Sequence, residues 1–301
     1  MMNGITVIFK ESGFTSHDVV ARMRGICGQK KIGHTGTLDP MATGVLPVCL
    51  GSATKLCDML ADREKEYVAE LLLGTETDTQ DTTGKILAVH PVEVSGQQVR
   101  EAFLSFTGEY SQIPPMYSAL KVNGKKLYEL ARAGKEVERK PRPVFIRETE
   151  ILECSLPVVR FRVVCSKGTY IRTLCSDIGG KLGCGGTMQK LERTRVGEFG
   201  LENARTLGEL QRLKEEGRLG EALAPVDSVF RRCPSLHVLS ECCRLVDNGN
   251  VFLPEHTGEK ARYAPGEWVR VYRPDESFAG IYSFEPDGGR YKPVKMFLEK
   301  E

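Results

Sequence analysis

A chain of 301 residues with ten cysteines and a formal net charge of only +2 is too long for one small module and suits one large or two unequal domains around a sizeable core. The cysteine spacings contain no C-x-x-C pair, so neither a disulfide framework nor a zinc site is expected. A reducing cytoplasm fits thiols such as Cys49, Cys165 and Cys175, which lie in apolar stretches. In chain order, residues 5–9 read as a strand, and Ser16 caps a helix that runs to Cys27 with Val19, Val20, Met23 and Ile26 on its apolar side. Residues 45–50 read as a buried strand or the start of a packed element, 52–62 as a helix, 67–73 as an apolar strand, and 97–106 as an amphipathic helix closed by Gly108. A short helix follows at 126–133, then an antiparallel pair at 144–154 and 158–166, and helices at 170–181 and 206–219. Beyond a boundary near residue 233, short strands at 268–272, 278–282 and 294–297 suggest a small β barrel, and the interleaving of helix and strand reads as α+β. No apolar run reaches membrane-spanning length and the N-terminus has no basic region or cleavage site, so neither insertion nor secretion is expected.

The overall charge does not single out a nucleic-acid partner, but its distribution allows one, since a basic stretch suits either a phosphate-facing surface or a solvated helix face. Residues 118–147 hold nine basic side chains, among them Lys121, Lys125 and Lys126, against three acidic ones, and such a cluster suits a surface that faces phosphates.

The most informative stretch is GHTGTLDPMATGVLPVCLG, residues 33–51, in which one carboxylate, Asp39, sits in a glycine-punctuated loop ahead of an apolar run. Pro40 biases Asp39 toward an extended backbone and removes a neighbouring N–H, so the carboxylate is held rather than mobile. This string resembles motif II of the bacterial tRNA pseudouridine synthases of the TruB type, which modify uridine 55 in the T-loop. The resemblance continues through Phe14-Thr15-Ser16, Lys65-Glu66-Tyr67, Gly74 to Asp78, Gln112 to Leu120, Gly124 to Tyr128 and Cys165 to Thr173. One departure is that Glu11 follows Lys10 where the family usually has proline.

The resemblance implies a pseudouridine-synthase catalytic domain over residues 1–232, with a mixed, mainly antiparallel sheet flanked by helices and a basic thumb at about 118–147. It also implies a PUA-like RNA-binding domain over 233–301. The expected activity is isomerisation of a uridine flipped out of the tRNA T-arm, by a cytoplasmic monomer without cofactor, metal or obligatory protein partner. Breaking the N1–C1′ bond and rejoining the base through C5 formally requires no oxidation or phosphate donor, and no GxxxxGK[ST] or HExxH motif is present. Asp39 is the implied catalytic carboxylate, either attacking carbon or assisting loss of the base, and whether C1′ or C6 is attacked stays open. A carboxylate enclosed by a nucleotide drifts toward its neutral form unless a permanent cation stands beside it, and Arg172 is the implied cation. Tyr67 is placed over the uracil as a stacking platform or proton carrier, and Tyr170 and Leu191 line the pocket. His34 fills the gap left by the flipped base, while Lys10, Lys121, Lys125 and Lys126 hold the RNA backbone.

Three other readings stand beside this one. A tRNA-folding factor would open the loop with catalysis secondary, and a guide-RNA-directed synthase would share the Asp39 loop but depend on protein partners. A glycosidase would want a second carboxylate near Asp39, whereas Asp78 and Asp81 read as turn residues in a Thr-rich segment.

Overall fold

Along the strand Lys65–Leu73 every second side chain is buried, with Tyr67, Ala69, Leu71 and Leu73 turned inward, as expected of a pleated segment covered on one face. The computed structural model describes residues 1–122 and 124–298 and places this strand inside a ten-stranded sheet. Eight strands run in the order Ala204–Arg205, Gly4–Lys10, Thr43–Leu50, Gly186–Val196, Lys65–Leu73, Val158–Cys165, Arg142–Ser155 and Gly108–Gln112. Ile32–His34 pairs with Thr43–Leu50, and Phe199–Gly200 with Gly186–Val196. Gly4–Lys10 with Ala204–Arg205, and Thr43–Leu50 with Gly186–Val196, are parallel; the other described pairs in this sheet are antiparallel, so the sheet is mixed and mainly antiparallel.

Strand parity assigns the two faces. Ile8, Leu46 and Val48 pack under the helices Ser16–Cys27 and Leu207–Glu215, whereas Ile5, Val7, Val45 and Cys49 join Val229, Phe230, Ile281 and Phe297 on the other side. A further cluster gathers Leu71, Phe161, Val163 and Met188 beneath the helices Gly96–Leu104 and Ile171–Leu182, and it includes Leu38 and Ala42 from the Asp39 loop. That loop is therefore seated on core.

Several elements differ from expectation, and the first helix is capped by Thr15 rather than by Ser16, which is its first residue. Residues 52–62 fold as a 3-10 turn, Gly51–Leu56, leading into the short helix Cys57–Ala61. Gly108 opens the strand Gly108–Gln112 after the preceding helix has already stopped at Leu104. The central strand Gly186–Val196 had no counterpart in the sequence reading. The expected C-terminal barrel is an open four-stranded sheet in the order Ser235–His237, Trp268–Tyr272, Phe278–Glu285 and Arg290–Met296. Its two outer strands do not pair among the described residues, and it has its own core of Leu236, Val238, Phe252, Val271 and Tyr291.

Candidate active site

The Asp39 loop is clamped at each residue around the carboxylate. Ser16, fully buried at the start of its helix, accepts from Leu38 N at 2.9 Å through its Oγ and lies 3.4 Å from Leu38 O. Gly13 N and Lys10 Nζ both donate to Pro40 O, at 2.8 and 3.2 Å, and Ala42 N closes a turn onto Asp39 O at 3.0 Å. Gly44, immediately beyond, has φ of +105°, and a Cβ there would meet Arg193 O at 2.2 Å, so only glycine fits where the loop rejoins the sheet.

Lys10 is not at the surface. It has no exposed area, its ammonium donates to the carbonyls of Glu11, Phe14 and Pro40 at 3.0, 2.7 and 3.2 Å, and burial lowers its pKa to about 8. A charge committed to three carbonyls behind the loop is not presented to an RNA backbone, which corrects the phosphate-holding role expected of Lys10. It braces the loop instead.

Arg172 enters from the first turn of the helix Ile171–Leu182, with its side chain 5% exposed. Its Nε lies 2.9 Å from Asp39 Oδ2, and Nη2 donates to Asp39 Oδ1 at 3.3 Å and to Tyr117 O at 2.9 Å. The Nε approach is an ion pair rather than a directed hydrogen bond, because the N–H does not point at the oxygen. Nη1 donates to Thr79 O at 3.2 Å and stands 3.5 Å from Asp81 Oδ2. Arg172 is thus shared between two carboxylates. Asp39 keeps a third of its side chain open to solvent while protein surrounds it otherwise. That recessed position raises its pKa, with Arg172 and Lys10 acting in the opposite sense and Asp81 in the same one.

The pocket walls come from neighbouring strands. Tyr67 is buried, its phenol pushed up by desolvation against the opposing pull of the nearby Arg193 charge. Arg193 is paired across the strands with Tyr67 and donates to Val45 O at 2.7 Å and Gly36 O at 3.3 Å. Leu191, two residues earlier on the same face, belongs to the cluster that holds Tyr67, Leu38 and Ala42. Tyr170, at the start of the Arg172 helix, is raised by burial, and the charges of Arg172 and Asp39 both act on it. His34 accepts from Gly36 N at 3.2 Å through Nδ1, meets the exposed His17 edge-on at 5.4 Å, and is lowered by burial to about 4. Its ring is therefore neutral near pH 7. Lys121 and Lys125 are exposed and Lys126 half-buried on a two-stranded hairpin, joined to the Asp39–Arg172 pair through the carbonyl of Tyr117 four residues before Lys121.

Two residues of this site escaped the sequence reading. Asp81 looked like a turn residue, yet it is 4% exposed, and its Oδ1 accepts from Thr79 Oγ1, Thr83 N and Thr83 Oγ1 while Oδ2 faces Arg172. Arg193 lies on the strand Gly186–Val196, which the sequence does not disclose; once that strand is known, period two turns Arg193 inward with Leu191. Asp81 supplies the second carboxylate that a glycosidase would need, but it is sealed behind Arg172 and does not face open space.

A recessed aspartate on a braced loop, an arginine beside it and an aromatic wall form a site for chemistry on a flat ring. Comparison with known proteins agrees. A model of the TruB family pseudouridylate synthase N-terminal domain matches residues 24–171, and one of the tRNA pseudouridylate synthase B C-terminal domain matches 172–231. The chain is similar to tRNA pseudouridine synthase B of Lachnoclostridium phytofermentans, 50% identical over 99% of this chain and 100% of that one, and of Alkaliphilus oremlandii, 48% identical over the whole of both. Among solved structures it resembles a chain of an H/ACA RNP bound to a substrate RNA containing 2'-deoxyuridine, with a TM-score of 0.73 and 25% identity over 99% of this chain and 86% of that one. The shared fold, the two matched models and the full-length identity carry one conclusion: this chain belongs to the TruB family of pseudouridylate synthases.

Proposed function

We propose that the protein converts uridine 55 in the T-loop of tRNA to pseudouridine, with Asp39 acting on the flipped nucleotide. The observation that carries this reading is the Asp39–Arg172 pair, in which a recessed carboxylate has a buried guanidinium beside it at 2.9 Å and a side still open to a ligand. The sequence of events follows from the groups present. Tyr67 and Tyr170 offer flat faces to the uracil, Leu191 bounds the pocket, and Asp39, kept ionised by Arg172, attacks carbon or assists departure of the base. The Tyr67 hydroxyl, under the influence of the Arg193 charge, carries the proton released at C5. His34, neutral and planar, stacks in the space left by the extruded base, at a cost to the RNA of roughly a few kcal/mol of unstacking. Lys121, Lys125 and Lys126 bind the RNA backbone from the thumb at about 118–147.

Residues 233–301 are read as a PUA-like RNA-binding domain behind a catalytic domain of residues 1–232, a division supported by the separate core of the C-terminal sheet. The enzyme is read as a cytoplasmic monomer that needs neither protein partner nor cofactor. Identity of 50% to a protein named tRNA pseudouridine synthase B, against 25% to a chain of an H/ACA RNP, favours the stand-alone form over the guided one.

The test is incubation of the purified chain with unmodified tRNA transcript in EDTA, with pseudouridine mapped by carbodiimide-stop primer extension. A single stop in the T-loop, lost in Asp39→Asn while RNA binding persists, is expected. Stops elsewhere, or an active Asp39→Asn, overturn the assignment. Tight binding without a stop moves the reading to a guided enzyme or a folding factor, and equal rescue of misfolded tRNA by wild type and Asp39→Asn identifies the latter.

A further inference from the structure

Three helices of this chain begin with a hydroxyl cap. Thr15, Ser95 and Thr206 each accept from the third residue of the helix they open, and Asp18, Gln98 and Glu209 reach back in a reciprocal capping box. The helix Ile171–Leu182, which carries Arg172, opens instead at Tyr170 with no side-chain cap. A tyrosine cannot fold back onto its own helix as serine or threonine does, and the Tyr170 phenol is close enough to Asp39 and Arg172 for both charges to act on it. The start of the helix that places the active-site arginine therefore lacks its local fastening.

Gln112 supplies one from a distance. It ends the edge strand Gly108–Gln112, is 1% exposed, and sits 58 residues before Tyr170. Its Oε1 accepts from Tyr170 N at 2.8 Å and its Nε2 donates to Tyr170 O at 3.0 Å, so one side-chain amide engages both polar groups of one peptide residue. Tyr170 O also receives the first helical bond, from Leu174 N at 3.0 Å. Two residues earlier on the same strand, Tyr110 donates to Asp177, seven residues beyond Tyr170 and about two turns down the same helix. The strand thus grips the helix at its opening and along its side.

We propose that Gln112 is a positioning residue for catalysis, a surrogate helix cap that sets the Tyr170 ring and the Arg172 guanidinium against Asp39. The geometry explains why an amide is needed. Glutamate offers acceptors only when ionised, methionine offers nothing, and asparagine is one methylene short of reaching both Tyr170 N and Tyr170 O. Without the clamp, Tyr170 is free to rotate about its backbone, and Arg172, two residues on, shifts relative to the Asp39 oxygens. A displacement of about 1 Å at reacting groups lowers a rate on the order of 100-fold.

This inference rests on the pseudouridine synthase reading, and the experiment separates the two, because wild-type turnover tests the reading and the variants are scored only against that rate. Gln112→Met fills the same volume without either bond. Its single-turnover rate on tRNA transcript is expected to fall by about 10- to 100-fold, with KM and RNA affinity within a few-fold of wild type and a cooperative melt retained. The discriminating readout is the pH profile. Arg172 opposes protonation of Asp39, so a displaced Arg172 moves the acid limb of the rate to higher pH, which a merely loosened fold does not do. An unchanged rate overturns the proposal, as does a lowered rate with an unmoved acid limb. If Gln112→Met fails to fold, Gln112→Glu keeps the acceptor for Tyr170 N and is measured near pH 8. A loss of about tenfold or more with KM retained supports the clamp, and a wild-type rate overturns it.

Discussion

Replacing Arg172 by methionine is the sharpest test of how Asp39 is kept reactive. The guanidinium lies 2.9 Å from Asp39 Oδ2, and two unit charges at that distance attract by about 6 kcal/mol at an effective dielectric of about 20. A third of the Asp39 side chain is open to solvent, so screening reduces this, and a shift of about 1–3 pKa units is the realistic scale for a carboxyl losing its arginine. Asp39 is already raised by desolvation, and the shift adds to it in the same direction. On the proposed reading the ionised carboxylate is the reactive form, so the rate is lost as pH falls through the Asp39 pKa, and in the variant that loss begins at higher pH. Single-turnover rates measured from about pH 5 to about pH 9 should show the acid limb of Arg172→Met displaced upward by about one unit or more and partial recovery in alkali. Removing Arg172 also strands the buried Asp81, at a cost in stability of about 3–5 kcal/mol, so Arg172→Lys serves as the companion. It keeps a charge for Asp39 but cannot hold Thr79 O, Tyr117 O and both carboxylates at once. Its acid limb should stay near wild type while the plateau rate drops. Equal, pH-independent losses in both variants would refute the electrostatic role and leave Arg172 as scaffolding.

Lys10→Met removes three donors from the carbonyls of Glu11, Phe14 and Pro40 and should cost about 2–4 kcal/mol in thermal or urea unfolding. The salt dependence of tRNA affinity should not change, whereas loss of a phosphate contact would lower that slope by about one. His34, whose folded pKa of about 4 lies below its ordinary value, binds its proton later than the unfolded chain does. Native stability therefore falls as pH drops from about 6.5 toward 4, and His34→Gln should flatten the urea-unfolding curve over that window. If His34 contributed as a cation, RNA affinity would rise on acidification in wild type but not in the variant.

What the sequence discloses depends on whether a residue obeys local rules. The Asp39 loop was legible because glycine, proline and an apolar run constrain it within a few positions, and Ser16–Cys27 because its apolar period is 3.6. Arg172 reaches Asp39 across 133 residues, a proximity accessible only through the family pattern. The strand Gly186–Val196 was illegible because Lys190, Glu192, Arg193 and Arg195 give it the composition of a surface segment, although it lies in the middle of the sheet. Its charges are accommodated pair by pair, Lys190 by Glu70, Arg195 by Glu66 and Arg193 by the Val45 and Gly36 carbonyls. Lys10 misled for the same reason. A lysine reads as surface until the chain doubles back and offers three carbonyls at one point. Three of the four C-terminal strands were legible singly and Ser235–His237 was not, but whether they close depends on how many strands pair and at what tilt, which no local pattern carries.

The sharing of Arg172 between Asp39 and Asp81 also bears on reactivity. A carboxylate locked to a guanidinium through two well-directed hydrogen bonds is strongly stabilised as an anion and correspondingly poor as a nucleophile. Here the arrangement is less complete, because Nε approaches Asp39 without aiming its N–H, Nη1 is turned to Thr79 O and Asp81, and Nη2 is divided between Asp39 and Tyr117 O. Asp81 has its other oxygen saturated by Thr79 and Thr83 and cannot rotate away. It therefore holds part of the guanidinium charge permanently. Asp39 is left with enough positive potential to remain ionised, an oxygen that no donor fully claims, and an open side toward the ligand. In the proposed reaction, whether Asp39 attacks carbon or assists departure of the base, an arginine with a single carboxylate partner would favour the closed ion pair, and the second carboxylate keeps that pair from closing.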